Sequence, residues 1–387
     1  MNPVDPIALA QELIRCPSVT PADAGALAVL ERALTGLGFA CMRLPFGHPP
    51  DGPIDNLFAT IVGRQQGPGG PHFAFAGHSD VVPAGDLVGW SEEPFAGAVK
   101  DGFIVGRGAA DMKGALAAMI AASARHLSGG PLVGRLSFII TGDEEGPATF
   151  GTTMMLDWLE AQGLVPDLCL VGEPTSQNQL GDMMKIGRRG SLNAWITVNG
   201  AQGHVGYPHM ADNPITRLVA IVAELKARVL DTGNDWFQAS NLEITDLAVG
   251  NPATNLIPAQ ARARINIRFN NEHSGAALTD WIRATVAAHA PASHVEVKIS
   301  GEAFLTVPGP LSALVSAAIT AVTGRSPELS TTGGTSDARF IRRLCPVVEF
   351  GLPGQSMHKV DEQAAVADVE GLTAIYANLL ARVFVAA

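Results

Sequence analysis

His72-Phe73-Ala74-Phe75-Ala76-Gly77-His78-Ser79-Asp80 decides the architecture. The run His72–Ala76 shows no polar alternation, as expected of a strand covered on both faces. It stops at a glycine, and a histidine and an aspartate follow at once. The same event recurs twice. Arg135–Ile140 is a β-rich run that ends at Thr141-Gly142-Asp143-Glu144-Glu145, and Leu168–Val171 ends at Gly172-Glu173. A buried strand that stops where a His or a carboxylate begins is the active edge of an open α/β sheet. In such sheets ligands gather beyond the carboxyl ends of the strands.

Outward from this sheet, residues 5–38 read as helix broken at Pro17 and Pro21, with Thr20 or Asp23 as the cap of its second part. Leu57–Val62 reads as a strand, 63–71 as a Gly/Pro-rich loop, and 115–127 as an Ala-rich helix. The texture changes near residue 185. Ser191–Asn199 alternates like a half-exposed strand, a helix is expected at 213–230, and two strands follow at Asn241–Val249 and Gln260–Asn270. In the second of these Arg262, Arg264, Asn266 and Arg268 alternate with apolar residues. A helix at 274–289 and a strand at His294–Ser300 complete a β-α-β-β-α-β order, that of a ferredoxin-like unit. A helix (311–323), a Gly/Thr/Ser loop (330–337), a strand (346–350) and a last helix (365–384) then return to the first texture. The expected division is therefore 1–184 and 301–387 for one domain, with 185–300 inserted.

A chain of 387 residues suits two domains, and with 47% hydrophobic residues it can bury a large core. Its net charge of -11 argues against nucleic acid and against an anionic membrane surface. It leaves room for an anionic substrate held by a local Arg cluster. The N-terminal stretch lacks a basic region followed by an apolar one, so no signal peptide is expected. No apolar run reaches the roughly 18 residues a membrane helix needs. Cys16, Cys41, Cys169 and Cys345 are scattered without a CxxC, which suits reduced thiols in a cytoplasmic protein.

Five segments carry metal-ligating chemistry: Gly77 to Asp80, Ala110 to Gly114, Asp143 to Glu145, Gly172 to Pro174, and Met357 to Lys359. Two His and several carboxylates suit a borderline-hard divalent ion, with zinc first. One catalytic zinc takes about three protein ligands, so this set is enough for two ions sharing a carboxylate. His78 and Asp80 point the same way on an extended segment, so one can ligate while the other holds the imidazole. Asp111, in Gly106-Arg107-Gly108-Ala109-Ala110-Asp111-Met112-Lys113-Gly114, is either a helix cap or a bridging ligand. The flanking glycines favour the ligand. Asp143-Glu144-Glu145 packs three acids together, a costly arrangement without a cation. Adjacent side chains diverge, so one Glu can bind metal while its neighbour stays free as general base. Glu173 and His358 gain weight only from this company. Arg188, Arg189 and Arg268 are either surface charges or forks for substrate carboxylates. His204 suits donation to an oxyanion, and the backbone N–H groups of Gly333-Gly334-Thr335-Ser336-Asp337 suit an anion.

Gly77-His78-Ser79-Asp80-Val81-Val82-Pro83, Gly106-Arg107-Gly108 through Lys113-Gly114, Asp143-Glu144-Glu145 and Gly172-Glu173-Pro174 together resemble the general motifs of the dinuclear zinc aminoacylase/carboxypeptidase family. Gly187 through Leu192, Gly203-His204-Val205 with Tyr207-Pro208-His209, Asn255-Leu256-Ile257-Pro258, Thr332 through Asp337 and Met357 through Glu362 extend the resemblance over essentially the whole chain. It implies an α/β, zinc-exopeptidase-like catalytic domain with a mixed sheet, and an inserted ferredoxin-like α+β dimerisation domain. It implies two Zn2+ per subunit, with Co2+ as a substitute. His78, Asp111 and Glu173 would hold one ion; Asp111, Glu145 and His358 would hold the other. Glu144 would be the general base and Asp80 the partner of His78. His204 would reach the active site of the other subunit of a homodimer. Arg189, Tyr207, Asn255, Arg268, Gly334 and Thr335 would grip a small dicarboxylate amide. The implied reaction is hydrolysis of N-succinyl-L,L-2,6-diaminopimelate to succinate and L,L-diaminopimelate. An acetylornithine deacetylase or a carboxypeptidase or dipeptidase of the same family is the alternative. The Asp111–Met112 peptide is expected to be cis. Ser79 stands where the family usually has Thr, Ala338 where Gly is common, and 351–356 departs from the family pattern.

Overall fold

The computed structural model describes residues 3–63 and 70–385; most of the loop expected at 63–71 lies outside them. Two compact units emerge. One runs through Ile186 and resumes over Thr306–Ser330 and from Ser336 onward; the other comprises Gly187–Leu305 together with Thr331–Thr335.

The first unit is built on an eight-stranded sheet in the order Ala40–Arg43, Leu57–Val62, Arg135–Thr141, His72–His78, Leu168–Val171, Val347–Glu349, Met183–Lys185 and Glu328–Ser330. The sheet is mixed. His72–His78 lies parallel to Arg135–Thr141, with His78 opposite Thr141, and parallel to Leu168–Val171, with Ala76 opposite Val171. Three strands therefore end on one edge, and their next residues are Ser79-Asp80, Gly142 to Glu145 and Gly172-Glu173. The strands Met183–Lys185 and Glu328–Ser330 were not legible. They are three residues each, and only pairing with their neighbours makes them strands.

Phe73, Phe75, Phe138 and Tyr376 fill the core around the central strand, with Phe75 5.6 Å from Phe138 and 5.3 Å from Tyr376 between ring centroids. The helix Gly114–Ser128 is buried over most of its surface, which its alanines permit. Met112, just before it, slides under the strand ends. A Cβ at Gly77 or Gly172 would come within 2.3 or 2.7 Å of its methyl carbon. Glycine at both strand ends is thus what lets the Asp111 segment approach. Neither Thr20 nor Asp23 is the N-cap of the helix Ala26–Gly36: that position is Gly25, left-handed at φ 91° and without a side-chain cap, while Asp23, two residues earlier, accepts the backbone N–H of Leu27 at 2.8 Å. The Thr20 hydroxyl instead donates to Asp80 at 2.6 Å.

His72 opens the central strand with Nδ1 3.1 Å from the carbonyl of Val165 and Nε2 2.8 Å from the Ser137 hydroxyl. Burial, reinforced by Arg135, pushes its pKa down to about 4. The unfolded chain therefore takes up this proton first as pH falls. Stability contributed by neutral His72 is fully present above about pH 6.5 and is lost towards pH 4, by up to about 3 kcal/mol. Denaturant midpoints measured from pH 7 to pH 4 should fall in the wild type, and His72→Gln should flatten that slope. An equal slope in both would remove His72 from the effect.

In the second unit four antiparallel strands lie in the order Asn241–Ala248, Gln260–Phe269, Gly190–Asn199 and His294–Gly301. In chain order this is 2-3-1-4, with helices Pro214–Ala227 and Gly275–His289 as the crossovers, the β-α-β-β-α-β arrangement read from the sequence. Leu192, Ala194, Ile196 and Val198 face Ala261, Ala263, Ile265 and Ile267 in its core. The edge strand Asn241–Ala248 is exposed along most of its length.

Candidate metal centre and anion-binding groups

In the first unit the three strand ends converge with two further segments, around Asp111 and around His358. His78, Asp111 and Glu145 offer atoms that all lie within 4.8 Å of one another, and so do His78, Glu144 and Glu173. Asp111 divides its oxygens: Oδ1 is 3.1 Å from His78 Nε2, and Oδ2 is 3.4 Å from His358 Nε2. His358 Nε2 is also 2.8 Å from Glu145 Oε1, and His78 Nε2 is 3.8 Å from Glu173 Oε1. The structure thus joins all five expected ligands, with Glu144 among them. The Asp111–Met112 peptide is cis. His358 takes a positive φ of 61° in its turn, an uncommon conformation for a non-glycine residue, and is half-exposed. The carboxylates are nearly buried.

The expected bond between the Asp80 carboxylate and the His78 ring is not what the structure shows. His78 Nδ1 sits 2.9 Å from the backbone carbonyl of Asp80, while the carboxylate Oδ1 is 3.6 Å away. A donor bond to that carbonyl leaves Nε2 aimed at Asp111 and Glu173, as a ligand requires. The carboxylate of Asp80 has other work. It accepts the N–H of Glu144 at 3.3 Å, the N–H of Glu145 at 3.0 Å and the Thr20 hydroxyl. It therefore holds the acidic turn in place. Local alternation predicts which way Asp80 points, not which of its oxygens is used.

The electrostatics call for a cation. Burial alone would lower the pKa of His78, but the hydrogen bond to Asp111 and the carboxylates of Asp111, Asp80 and Glu173 hold it well above the usual value. Hydrogen bonds to Asp111 and Glu145 lift His358 to about 10. Burial would raise Asp111, yet its two imidazole partners hold it well below the ordinary carboxylate range. Glu144 has no such relief: burial, then Glu173 and Asp337, push its carboxyl well up. Protons substitute poorly for charge here, and a doubly charged ion fits this oxygen and imidazole donor set.

Arg339 was missed. Its Nη1 lies 3.8 Å from Glu144 Oε1 and its Nη2 3.9 Å from Asp337 Oδ1. Asp337 in turn accepts the Thr152 hydroxyl at 2.6 Å. Nothing in the spacing marks this Arg except that it stands two residues beyond Asp337.

The second unit carries the remaining expected residues in two groups. Arg189 precedes the strand Gly190–Asn199 and donates to Asn241 Oδ1 at 3.0 Å. Arg268 pairs with both Ser191 and Asn241 across the sheet. Burial, then the nearby charge of Arg268, pulls the pKa of Arg189 down. Gly333, in the loop with Gly334 and Thr335, sits so close to Arg188 that a Cβ would come within 2.7 Å of its Nη1. His204, Tyr207 and Asn255 form the other group: the N–H of Val205 donates to Asn255 O at 3.0 Å, and the rings of His204 and Tyr207 are 5.5 Å apart. Both rings are exposed. The strands Gly190–Asn199 and Gln260–Phe269 separate the two groups, since Arg189 and Arg268 lie at one end and His204 and Asn255 beyond the other. Ten residues of strand span roughly 30 Å.

The profile of Peptidase family M20/M25/M40 matches residues 74–382. A protein of Rhizorhabdus wittichii named succinyl-diaminopimelate desuccinylase is 61% identical over 377 residues, 97% of either chain. One of the same name from Gluconacetobacter diazotrophicus is 58% identical over 377 residues, 97% of this chain and 96% of that one. Among solved structures, an aminopeptidase PepT from Bacillus cereus superposes with a TM-score of 0.80 at 20% identity, covering 98% of each chain, a likeness of fold.

Proposed function

The chain belongs to peptidase family M20/M25/M40, and from that membership and its named relatives we propose that it hydrolyses N-succinyl-L,L-2,6-diaminopimelate to succinate and L,L-diaminopimelate. The observation that carries the chemistry is Asp111, whose two oxygens face His78 and His358 separately while Glu144 stands beside them. His78, Asp111 and Glu173 would hold one ion and Asp111, Glu145 and His358 the second. Two Zn2+ would suit this donor set, with Co2+ as a substitute. When bound, they supply Lewis acidity towards a water molecule and the scissile carbonyl. Glu144 takes a proton from that water and delivers it to the leaving amine. Asp80 keeps Glu144 and Glu145 oriented through their backbone N–H groups. Arg189 and Arg268, with the N–H groups around Gly334 and Thr335, suit the carboxylates of the substrate. Tyr207 of the partner subunit and Asn255 of the partner subunit, grouped with His204, suit its remaining polar groups.

The roughly 30 Å between Arg189 and His204 supports a homodimer, in which His204 of the partner subunit donates to the oxyanion. Exposed Val205, Tyr207 and Met210 beside His204, and the exposed edge strand, suit such an interface. Residues Gly187–Leu305 then act as the dimerisation domain. A reaction of diaminopimelate and lysine synthesis suits a cytoplasmic enzyme.

An acetylornithine deacetylase or a dipeptidase would share the metal ligands. The deciding assay compares kcat/KM on N-succinyl-L,L-diaminopimelate, N-acetylornithine and a simple dipeptide, with metal analysis of the same sample. A preference of about 10- to 100-fold for the succinyl substrate is expected, because losing one charge-assisted contact costs about 1.5–3 kcal/mol. Arg268→Ala should raise KM for that substrate by about 10- to 100-fold and leave the acetyl substrate nearly unchanged. Equal or better turnover of the acetyl substrate by the wild type would overturn the assignment.

A further inference from the structure

We propose that Arg107 and Glu362 are positioning residues that lock three ligand-bearing segments of the metal centre into one register. Glu362 is fully buried. Its Oε1 accepts the backbone N–H groups of Ala110 and Asp111, both at 3.1 Å. Its Oε2 takes Arg107 Nη1 at 2.6 Å. The same Nη1 donates to the carbonyl of Lys359 at 3.1 Å, next to His358. Arg107 Nη2 reaches the carbonyls of Pro83 at 3.3 Å and Ala84 at 3.4 Å, on the segment that leaves His78 and Asp80. Trp90 packs against the guanidinium at 5.3 Å and donates its own Nε1–H to Ala84 O at 3.0 Å. The backbone N–H of Gly106 closes the loop on Glu362 O at 2.8 Å.

A buried ion pair is a weak source of stability, and an apolar pair of similar volume often serves as well. An apolar pair cannot accept the N–H of Asp111 and hold the carbonyl of Lys359 at once. This pair does both. Asp111 and His358, far apart in the chain, are fixed to each other through two buried side chains. Partners of ligands that set their orientation are commonly worth 10- to 100-fold in metal affinity.

The inference rests on the metal reading of the site, and one experiment separates the two. Metal-free wild type, Glu362→Gln and the double variant Arg107→Met with Glu362→Gln are titrated with Zn2+ against a chromophoric chelator. The visible spectrum of each Co2+-loaded protein is recorded, with circular dichroism and the unfolding midpoint of each metal-free protein. The double variant removes both charges together, so it keeps the test open if the single variant fails to fold. The expected result is two tightly held ions per wild-type subunit, affinity weaker by about 10- to 100-fold in the variants, changed Co2+ bands, and unchanged metal-free folds. Wild-type affinity and spectra in the variants would overturn the clamp. So would loss of the metal-free fold in both, which assigns the pair to stability alone. A wild type that holds no Zn2+ rejects the metal centre itself, a different failure.

Discussion

Glu144→Gln is expected to lower kcat by about 1,000-fold or more while two metal ions stay bound, since positioned proton transfer commonly contributes about 100- to 10,000-fold. The side chains are isosteric, and the turn that carries this one is held through backbone N–H groups by Asp80. Ligand geometry at Glu145 and Glu173 therefore has no reason to change. The amide cannot take a proton from water, and Arg339 loses the carboxylate beside it. Succinate release and metal content, measured on the same preparation, check the result. Retention of more than about a tenth of wild-type kcat would move the base elsewhere in the cluster. Loss of metal together with activity would make Glu144 a ligand, the role its closeness to His78 and Glu173 also permits geometrically.

Asp111→Ala should be as severe for a different reason. In the proposed assignment Glu173 and Glu145 would serve one ion each, whereas Asp111 meets both imidazoles. Its removal takes a ligand from each set, leaving two where a catalytic ion needs about three. Turnover should fall below detection, and bound metal should drop from two ions per subunit to less than one. The wild type stripped with a chelator should recover on addition of Zn2+ or Co2+, and Asp111→Ala should not. The metal-free variant should remain folded, because Met112 and not Asp111 fills the space beneath Gly77 and Gly172. A variant that still held two ions at wild-type affinity would end the bridging assignment.

The sheet edge was readable because each of its strands is a mainly apolar run with His or carboxylate residues at or beyond one end. The β-α-β-β-α-β unit was readable because its strands alternate. What escaped notice depended on the third dimension. Thr20 was a plausible cap by spacing, yet its hydroxyl is drawn to the Asp80 carboxylate. Asp80 was paired with His78 by alternation, yet its backbone carbonyl makes that bond and its carboxylate serves the acidic turn. Arg339 lies in no quoted motif, and Glu362 ends the segment Met357 through Glu362 without a role of its own being readable. Their partners lie in Glu144 and Arg107, and no periodicity reports a contact over such separations. Thr331–Thr335 seemed part of the returning first domain, but it packs with the second unit, where Gly333 abuts Arg188.

That last segment bears on how such a protein can be shortened. The chain passes from one unit to the other after Ile186, back after Leu305, across again after Ser330 and home before Ser336. An inserted module joined at two points can be deleted by one splice. Here a splice over 187–305 strands five residues from the far side of the sequence, whose glycine was shaped to lie against an arginine no longer present. Any minimal single-unit descendant, natural or engineered, must rebuild that loop in the same step. Two simultaneous changes are a far narrower passage than one.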